Sequence, residues 1–269
     1  MAAGDLVVTD LDGTLWHLEN DLHPASLAAL RELMASDTPL LVATGRRRGA
    51  ALRPLQPLDI LPPAVVLNGA IGVDLATGER FRRQGFTPDA AVAVLDAFRA
   101  VGLDPCLYVD EEQHEVVVSE SPSTSREHLE SLVDAVRPGD LDQIAREEPV
   151  FMFSLIGLPH GQLVVAAEKI GARAETHVDR SFDVPGMATM TAAPAGLSKW
   201  DGVEAWCRHT GYRPERVIAL GDGPNDVELL ARADLALVPE NGHPAAVELA
   251  DFLIPPPDQG GWASLLGFL

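Results

Sequence analysis

The chain has 269 residues, is 46% hydrophobic, and sets 20 Lys and Arg against 40 Asp and Glu for a formal charge of −20. That length and apolar content can bury a sizeable core in two domains, and no stretch approaches the ~20 apolar residues of a membrane span. The acidic balance opposes non-specific binding to nucleic acid, so neither nucleic acid nor membrane is an expected partner.

The run Leu6-Val7-Val8 reads as a short buried strand that gives way to Thr9-Asp10-Leu11-Asp12-Gly13-Thr14. Residues two apart in extended backbone point to one side, so the carboxylates of Asp10 and Asp12 face one crevice at a strand's carboxyl end, where open α/β sheets place ligands. A divalent cation would relieve their repulsion, and Mg²⁺ binds through one or two carboxylates plus substrate phosphate. A plain Asp-Gly turn is the alternative, and an EF-hand loop fits worse because Leu15 stands where Gly is required. A helix is predicted over 26–35, with Pro24 near its start, before a second apolar run, Leu40-Leu41-Val42-Ala43, that ends in Thr44-Gly45-Arg46. Arg46-Arg47-Arg48 reads as a solvated helix start, with Arg46 alone placed near a substrate. The next apolar run, 64–67, opens into Asn68-Gly69-Ala70.

Residues 80–185 are too long for a loop in a compact domain and should form a domain with its own core. Helices are predicted there over 89–100, 125–136 and 160–170, and strands at 105–109, 115–118, 150–156, near 173–178, and at 182–190. Beyond it, Gly196-Leu197-Ser198-Lys199 leads into a helix over 199–209 striped by Val203, Trp206 and Cys207. The apolar run 217–220 then opens into Gly221-Asp222-Gly223-Pro224-Asn225-Asp226. Continuous apolar strands alternating with helices argue for a doubly wound parallel sheet with a polar crevice at the strand ends. His243 reads as a turn residue and Pro255-Pro256-Pro257 as a local turn or spacer. Cys106 and Cys207 are too few for a disulfide framework and lie in apolar surroundings, so reduced thiols are expected. A first strand at about Leu6 leaves no room for a signal peptide, and a cytoplasmic protein is expected.

Asp10 to Thr14, Thr44-Gly45-Arg46, Lys199 and Gly221 to Asp226 resemble, in order, the four motifs of the haloacid dehalogenase superfamily, and Asn68-Gly69-Ala70 is similar to a further segment of its Cof-type phosphatases. The resemblance implies a Rossmann-like core over 1–79 and 186–269, with residues 80–185 an α+β cap of the class IIB kind that covers the crevice and contacts the leaving group. It departs from the pattern at Trp200, where relatives often have Gly, and at Met190-Thr191, where many carry an acidic residue.

The implied activity is a Mg²⁺-dependent phosphatase of small phosphorylated metabolites, sugar phosphates first. Two unit charges 4 Å apart repel by about 4 kcal/mol at an effective dielectric near 20, so carboxylates that receive a phosphate need cations. Mg²⁺ on Asp10, Asp222 and the backbone carbonyl of Asp12 is one, with Asp226 nearby, and Lys199 is the other. Asp10 is then the nucleophile that forms an aspartyl-phosphate, and Asp12 protonates the leaving oxygen and later activates water. Thr44 hydrogen-bonds a phosphoryl oxygen, Gly45, Arg46, Asn68 and Gly69 line the substrate, and Asn225 and Asp226 orient Lys199 and a water. Only Lys169 and Lys199 are lysines in an Arg-rich chain, which singles out Lys199 as a compact charge on a flexible stem. A phosphomutase on the same scaffold is the rival reading. A signalling receiver domain would lack both the insertion and an acid at Asp12.

Overall fold

A computed structural model describes residues 4–17, 21–181 and 184–269, which divide into two units: the chain up to Arg83 together with Ser198–Leu269, and Gln84–Leu197. The first unit opens with β1 (Asp5–Thr9), α1 (Pro24–Met34), β2 (Leu40–Ala43), α2 (Arg48–Leu55), β3 (Pro63–Val66), β4 (Ile71–Asp74) and β5 (Arg80–Arg83). The insert supplies α3 (Pro88–Arg99), β6 (Cys106–Tyr108), β7 (Val116–Val118), α4 (Arg126–Leu132), β8 (Val136–Pro138), α5 (Leu141–Glu147), β9 (Met152–Leu158), α6 (His160–Ile170), β10 (Ala174–Arg180) and β11 (Ala188–Pro194). The first unit then resumes with α7 (Lys199–Thr210), β12 (Arg216–Leu220), α8 (Val227–Arg232), β13 (Leu235–Pro239), α9 (Pro244–Val247) and β14 (Phe252–Ile254).

In the first unit eight strands lie in the order β14-β13-β12-β1-β2-β3-β4-β5, parallel from β14 to β3. β1 is central because Leu6, Val7 and Val8 are apolar on both faces, and all three are fully buried. α7 lies close against β3 because Gly202 has no side chain: a Cβ there would sit 2.2 Å from Val65 Cγ1. β4 and β5 extend the sheet antiparallel. They carry the first unit to Arg83 and not to residue 79, because Phe81 lays its ring over Gly72 on β4 and packs against the core around Leu6, Leu41 and Val65.

The insert is a six-stranded sheet, β10-β11-β9-β6-β7-β8, antiparallel except where β7 meets β8. Its own core joins α3, α5 and α6 to one sheet face through Val94, Phe98, Ile144, Phe153, Leu163 and Met190. β11 pairs along its length with both β9 and β10, so the insert runs to Leu197 and holds Met190-Thr191, where the sequence suggested an end at 185. The helix expected over 125–136 stops at Leu132, and Val136 begins β8. β8 and α5 were not expected. The turn at Gly139-Asp140 joins them, with the Asp140 carboxylate capping α5 through the amides of Asp142 and Gln143. Of the strand expected at 182–190, residues 182 and 183 lie outside the described residues. Cys106 lies in β6 and Cys207 in α7, both free, and burial pushes the Cys106 thiol up to about 11. No described helix is long and apolar enough to cross a membrane.

Candidate active site

Asp10 and Thr44 follow directly on the carboxyl ends of β1 and β2, Asp222 stands two residues past the end of β12, and the order β12-β1-β2 makes those strands neighbours. The ladder continues one residue past two of them, since the Asp10 amide donates to the Leu220 carbonyl at 2.8 Å and the Thr44 amide to Val65 at 2.8 Å. Trp262, fully buried, donates its indole N–H to Thr9 Oγ1 at 2.9 Å, and that hydroxyl donates to the Asp10 carbonyl at 2.8 Å. The backbone at Asp10 is therefore braced from both directions.

Lys199 is the first residue of α7. The helix start is fixed by the Asp201 carboxylate, which accepts from the Ser198 amide and hydroxyl, each at 2.8 Å. The Lys199 side chain is fully buried, and its Nζ donates to Asp10 Oδ1 and to Asp226 Oδ1, both at 2.7 Å. The second oxygen of Asp226 accepts from the amides of Asp222 at 3.1 Å and Gly223 at 2.9 Å. Asp226 thus ties the ammonium to the turn after β12 with both oxygens. Asp222 accepts from Thr14 Oγ1 at 3.0 Å, and Gly13 (φ +80°) lies so close that a Cβ would stand 2.2 Å from Asp222 Oδ2.

One carboxylate oxygen each of Asp10, Asp222 and Asp226 lies within 4.8 Å of the others, and all three residues are buried. Three carboxylates against one ammonium leave an excess of negative charge that a divalent cation would neutralise, so the residues fit Mg²⁺. Burial pushes the Asp10 carboxyl well above the usual carboxylate range; Lys199 pulls it back, and Asp226, Asp222 and Asp12 push it further up. Burial also works against the charged form of Lys199, but the carboxylates of Asp10 and Asp226 outweigh it and raise that group.

Asp12 does not join this cluster through its side chain. Its carboxylate accepts a two-pronged ion pair from Arg46, Nε to Oδ2 at 2.6 Å and Nη2 to Oδ1 at 2.5 Å, and a third hydrogen bond from Trp16 Nε1 at 3.1 Å. The run 46–48 does start a helix, α2 from Arg48, but it is not solvated throughout: Arg47 is buried at the cap, and Arg46 turns back onto Asp12. Asn68 and Asn225 meet through Asn225 Nδ2 and Asn68 Oδ1 at 2.9 Å, beside Gly45, whose Cβ position is 3.0 Å from that oxygen. Leu67 (φ +51°) and Asn68 (φ +55°) both take left-handed backbone, a costly conformation that recurs at functional sites. Gly69 (φ +107°) then passes so close to the start of α7 that a Cβ would meet Ser198 O at 2.0 Å. Trp200 faces elsewhere, donating to Glu204 at 2.9 Å under the guanidinium of Arg232. The sequence reading gave Thr14 no role beyond its place in the first motif and passed over Trp16, Asp201 and Trp262. The Ser-x-x-Asp spacing at 198–201 was a readable signal for Asp201, whereas the others depend on contacts made only in the folded chain.

The haloacid dehalogenase-like hydrolase family matches residues 7–266. The pyridoxal phosphate phosphatase YbhA of Escherichia coli is 24% identical over 259 residues, covering 93% of this chain and 92% of its own. A chloroplastic protein of Arabidopsis thaliana named endoribonuclease YBEY is 26% identical over 97% of this chain, which spans only 45% of its length. A haloacid dehalogenase-like hydrolase from B. subtilis has the same fold, with a TM-score of 0.81 at 17% identity over 98% of this chain and 99% of that one. The subclass IIB sugar phosphatase BT4131 superposes with a TM-score of 0.78 at 19% identity, covering 98% of each chain. With the motifs matched from end to end and the fold shared, the chain belongs to the haloacid dehalogenase-like hydrolase family.

Proposed function

We propose that the protein is a Mg²⁺-dependent phosphatase that hydrolyses small phosphorylated metabolites, sugar phosphates first, through an aspartyl-phosphate on Asp10. The observation that carries this reading is the buried set of Asp10, Asp222 and Asp226 past the ends of the neighbouring strands β1 and β12, with Lys199 bridging Asp10 and Asp226. Relatives named as phosphatases of small molecules support the substrate class.

In this mechanism Lys199 holds Oδ1 of Asp10, which leaves Oδ2 to attack phosphorus. As that bond forms and the bond to the leaving oxygen breaks, Asp12 gives its proton to the leaving oxygen. In the second half Asp12 takes a proton from water, which attacks the acyl-phosphate and returns Asp10 and inorganic phosphate. Asp10, Asp222 and the backbone carbonyl of Asp12 would hold Mg²⁺, which would supply the positive charge that lets a carboxylate approach an anionic phosphate. Thr44 offers its hydroxyl to a phosphoryl oxygen. Gly45 and Gly69 admit close approach of the backbone, and Asn68 and Asn225 present a joined pair of amides beside them. Asp226 orients Lys199, and Arg46 reaches the substrate side through Asp12.

Purified protein with Mg²⁺, presented with a panel of phosphorylated metabolites and followed for free phosphate and for isomerised product, tests the proposal. Release of phosphate that EDTA abolishes supports it. Isomerisation without phosphate release would assign the scaffold to a mutase, and no turnover of any member would refute the reading.

A further inference from the structure

Trp16 is a residue that no motif requires, and the fold gives it a specific task. The chain leaves β1 and turns back within five residues: the amides of Leu15 and Trp16 both donate to the Leu11 carbonyl, at 2.9 and 3.1 Å, and the Gly13 amide donates to the Trp16 carbonyl at 2.9 Å. That loop brings the Trp16 ring beside Asp12, four residues earlier. The ring is buried, with 1% of the residue exposed, yet its one polar atom is spent on Asp12 Oδ1. The Arg46 guanidinium stands over the same ring, 5.2 Å from its centre, while forking onto both oxygens of Asp12 and donating from Nη1 to the Ala50 carbonyl at 3.0 Å. Each of the three side chains therefore touches the other two. A carboxylate on a short side chain has two torsions, and donors at both of its oxygens fix both.

We propose that Trp16, acting with Arg46, is a positioning residue for the proton transfer at Asp12. The inference rests on the acid and base role given to Asp12 above. When Asp12 passes its proton to the leaving oxygen, its carboxyl becomes a carboxylate, and the charge that appears is met by the guanidinium and the indole N–H already in place. A helper of this kind matters most where the leaving oxygen is a poor one, because an activated leaving group departs without a proton.

The test compares wild-type protein with Trp16→Phe, which keeps an aromatic ring and loses only the donor, and with Arg46→Lys, which keeps the charge and loses the fork. Turnover with Mg²⁺ is measured over a series of phosphate monoesters from an activated aryl phosphate to an alkyl phosphate. In both variants the alkyl rate is expected to fall at least tenfold further than the aryl rate, steepening the dependence on leaving-group acidity. An equal fall across the series, or none, would overturn the proposal. If Trp16→Phe does not fold, Arg46→Lys decides by the same criterion. A separate measurement needs no turnover: the indole N–H resonance that disappears in Trp16→Phe should move upfield and exchange faster with solvent in Asp12→Ala. A resonance indifferent to Asp12 would overturn the cradle itself. Wild-type protein that hydrolyses nothing while the resonance responds would instead refute the phosphatase reading and leave the cradle standing.

Discussion

Replacing Lys199 with Met removes a charge and keeps the volume of the stem, so its consequences follow from electrostatics more than from packing. In the wild type the ammonium stands 2.7 Å from a carboxylate oxygen of Asp10 and of Asp226, with no exposure to solvent. At an effective dielectric near 20 each contact is worth about 6 kcal/mol of Coulomb attraction, most of it offset by the cost of desolvating the charges. Removing one partner of a buried pair strands the other, and such losses are typically about 3–5 kcal/mol. Here two carboxylates are stranded, with oxygens within 4.8 Å of each other. The sign of the pH dependence follows. Burial already holds the Asp10 carboxyl above the usual range, and without Lys199 nothing pulls it back, so the folded variant binds a proton more tightly than the unfolded chain does. Its deficit should be full near pH 8 and shrink as pH falls toward the carboxylate range. In the wild type Lys199 itself stays protonated throughout, because its carboxylate partners raise that group. Urea unfolding of both proteins at pH 8 and pH 5, without metal, measures this. A deficit that is independent of pH, or below about 1 kcal/mol at pH 8, would refute the electrostatic reasoning.

Two further substitutions divide the roles of the carboxylates. Asp222→Asn keeps an oxygen for Thr14 and removes one of three crowded negative charges, so the metal-free protein should gain stability, the repulsion relieved being about 3.5 kcal/mol for each pair of unit charges 4.8 Å apart at an effective dielectric near 20. The same variant should lose the rise in melting temperature that Mg²⁺ gives the wild type, as differential scanning calorimetry with and without the ion would show. Asp12→Asn should retain Mg²⁺ affinity by isothermal titration, since its assigned contact with the ion is the backbone carbonyl, while turnover collapses. An affinity loss as large as that of Asp222→Asn would show that the Asp12 side chain has been given the wrong task.

The ends of β1, β2 and β12 were legible because central parallel strands are apolar on both faces, which leaves short unbroken runs whose polar successors stand out. Position in the sheet then does what separation in sequence hides, bringing Asp10, Thr44 and Asp222 together. The antiparallel β5 was not legible. Arg80–Arg83 carries one apolar residue among three arginines, and only the glycine on the facing strand makes room for Phe81. β8 and α5 were hidden because a short helix running into a three-residue strand reads as one longer helix when the turn at Gly139 is given too little weight. The basic run was legible in part. A helix does start there, at Arg48, but Arg47 is buried at its cap, and nothing in the composition announces the carboxylate 34 residues earlier that claims Arg46. Such long-range partners, like Trp262 against Thr9, leave no periodic trace.

The central claim is that Asp10 carries the phosphoryl group, and acid-quenched single turnover tests it most directly. Enzyme in excess over a turned-over substrate labelled with ³²P, stopped within one cycle, should hold label in a single acid-stable, hydroxylamine-sensitive peptide that contains Asp10. Asp10→Asn should hold none and release no phosphate. Turnover by wild-type protein with no labelled peptide at any quench time, label on another residue, or phosphate release by folded Asp10→Asn would contradict the account.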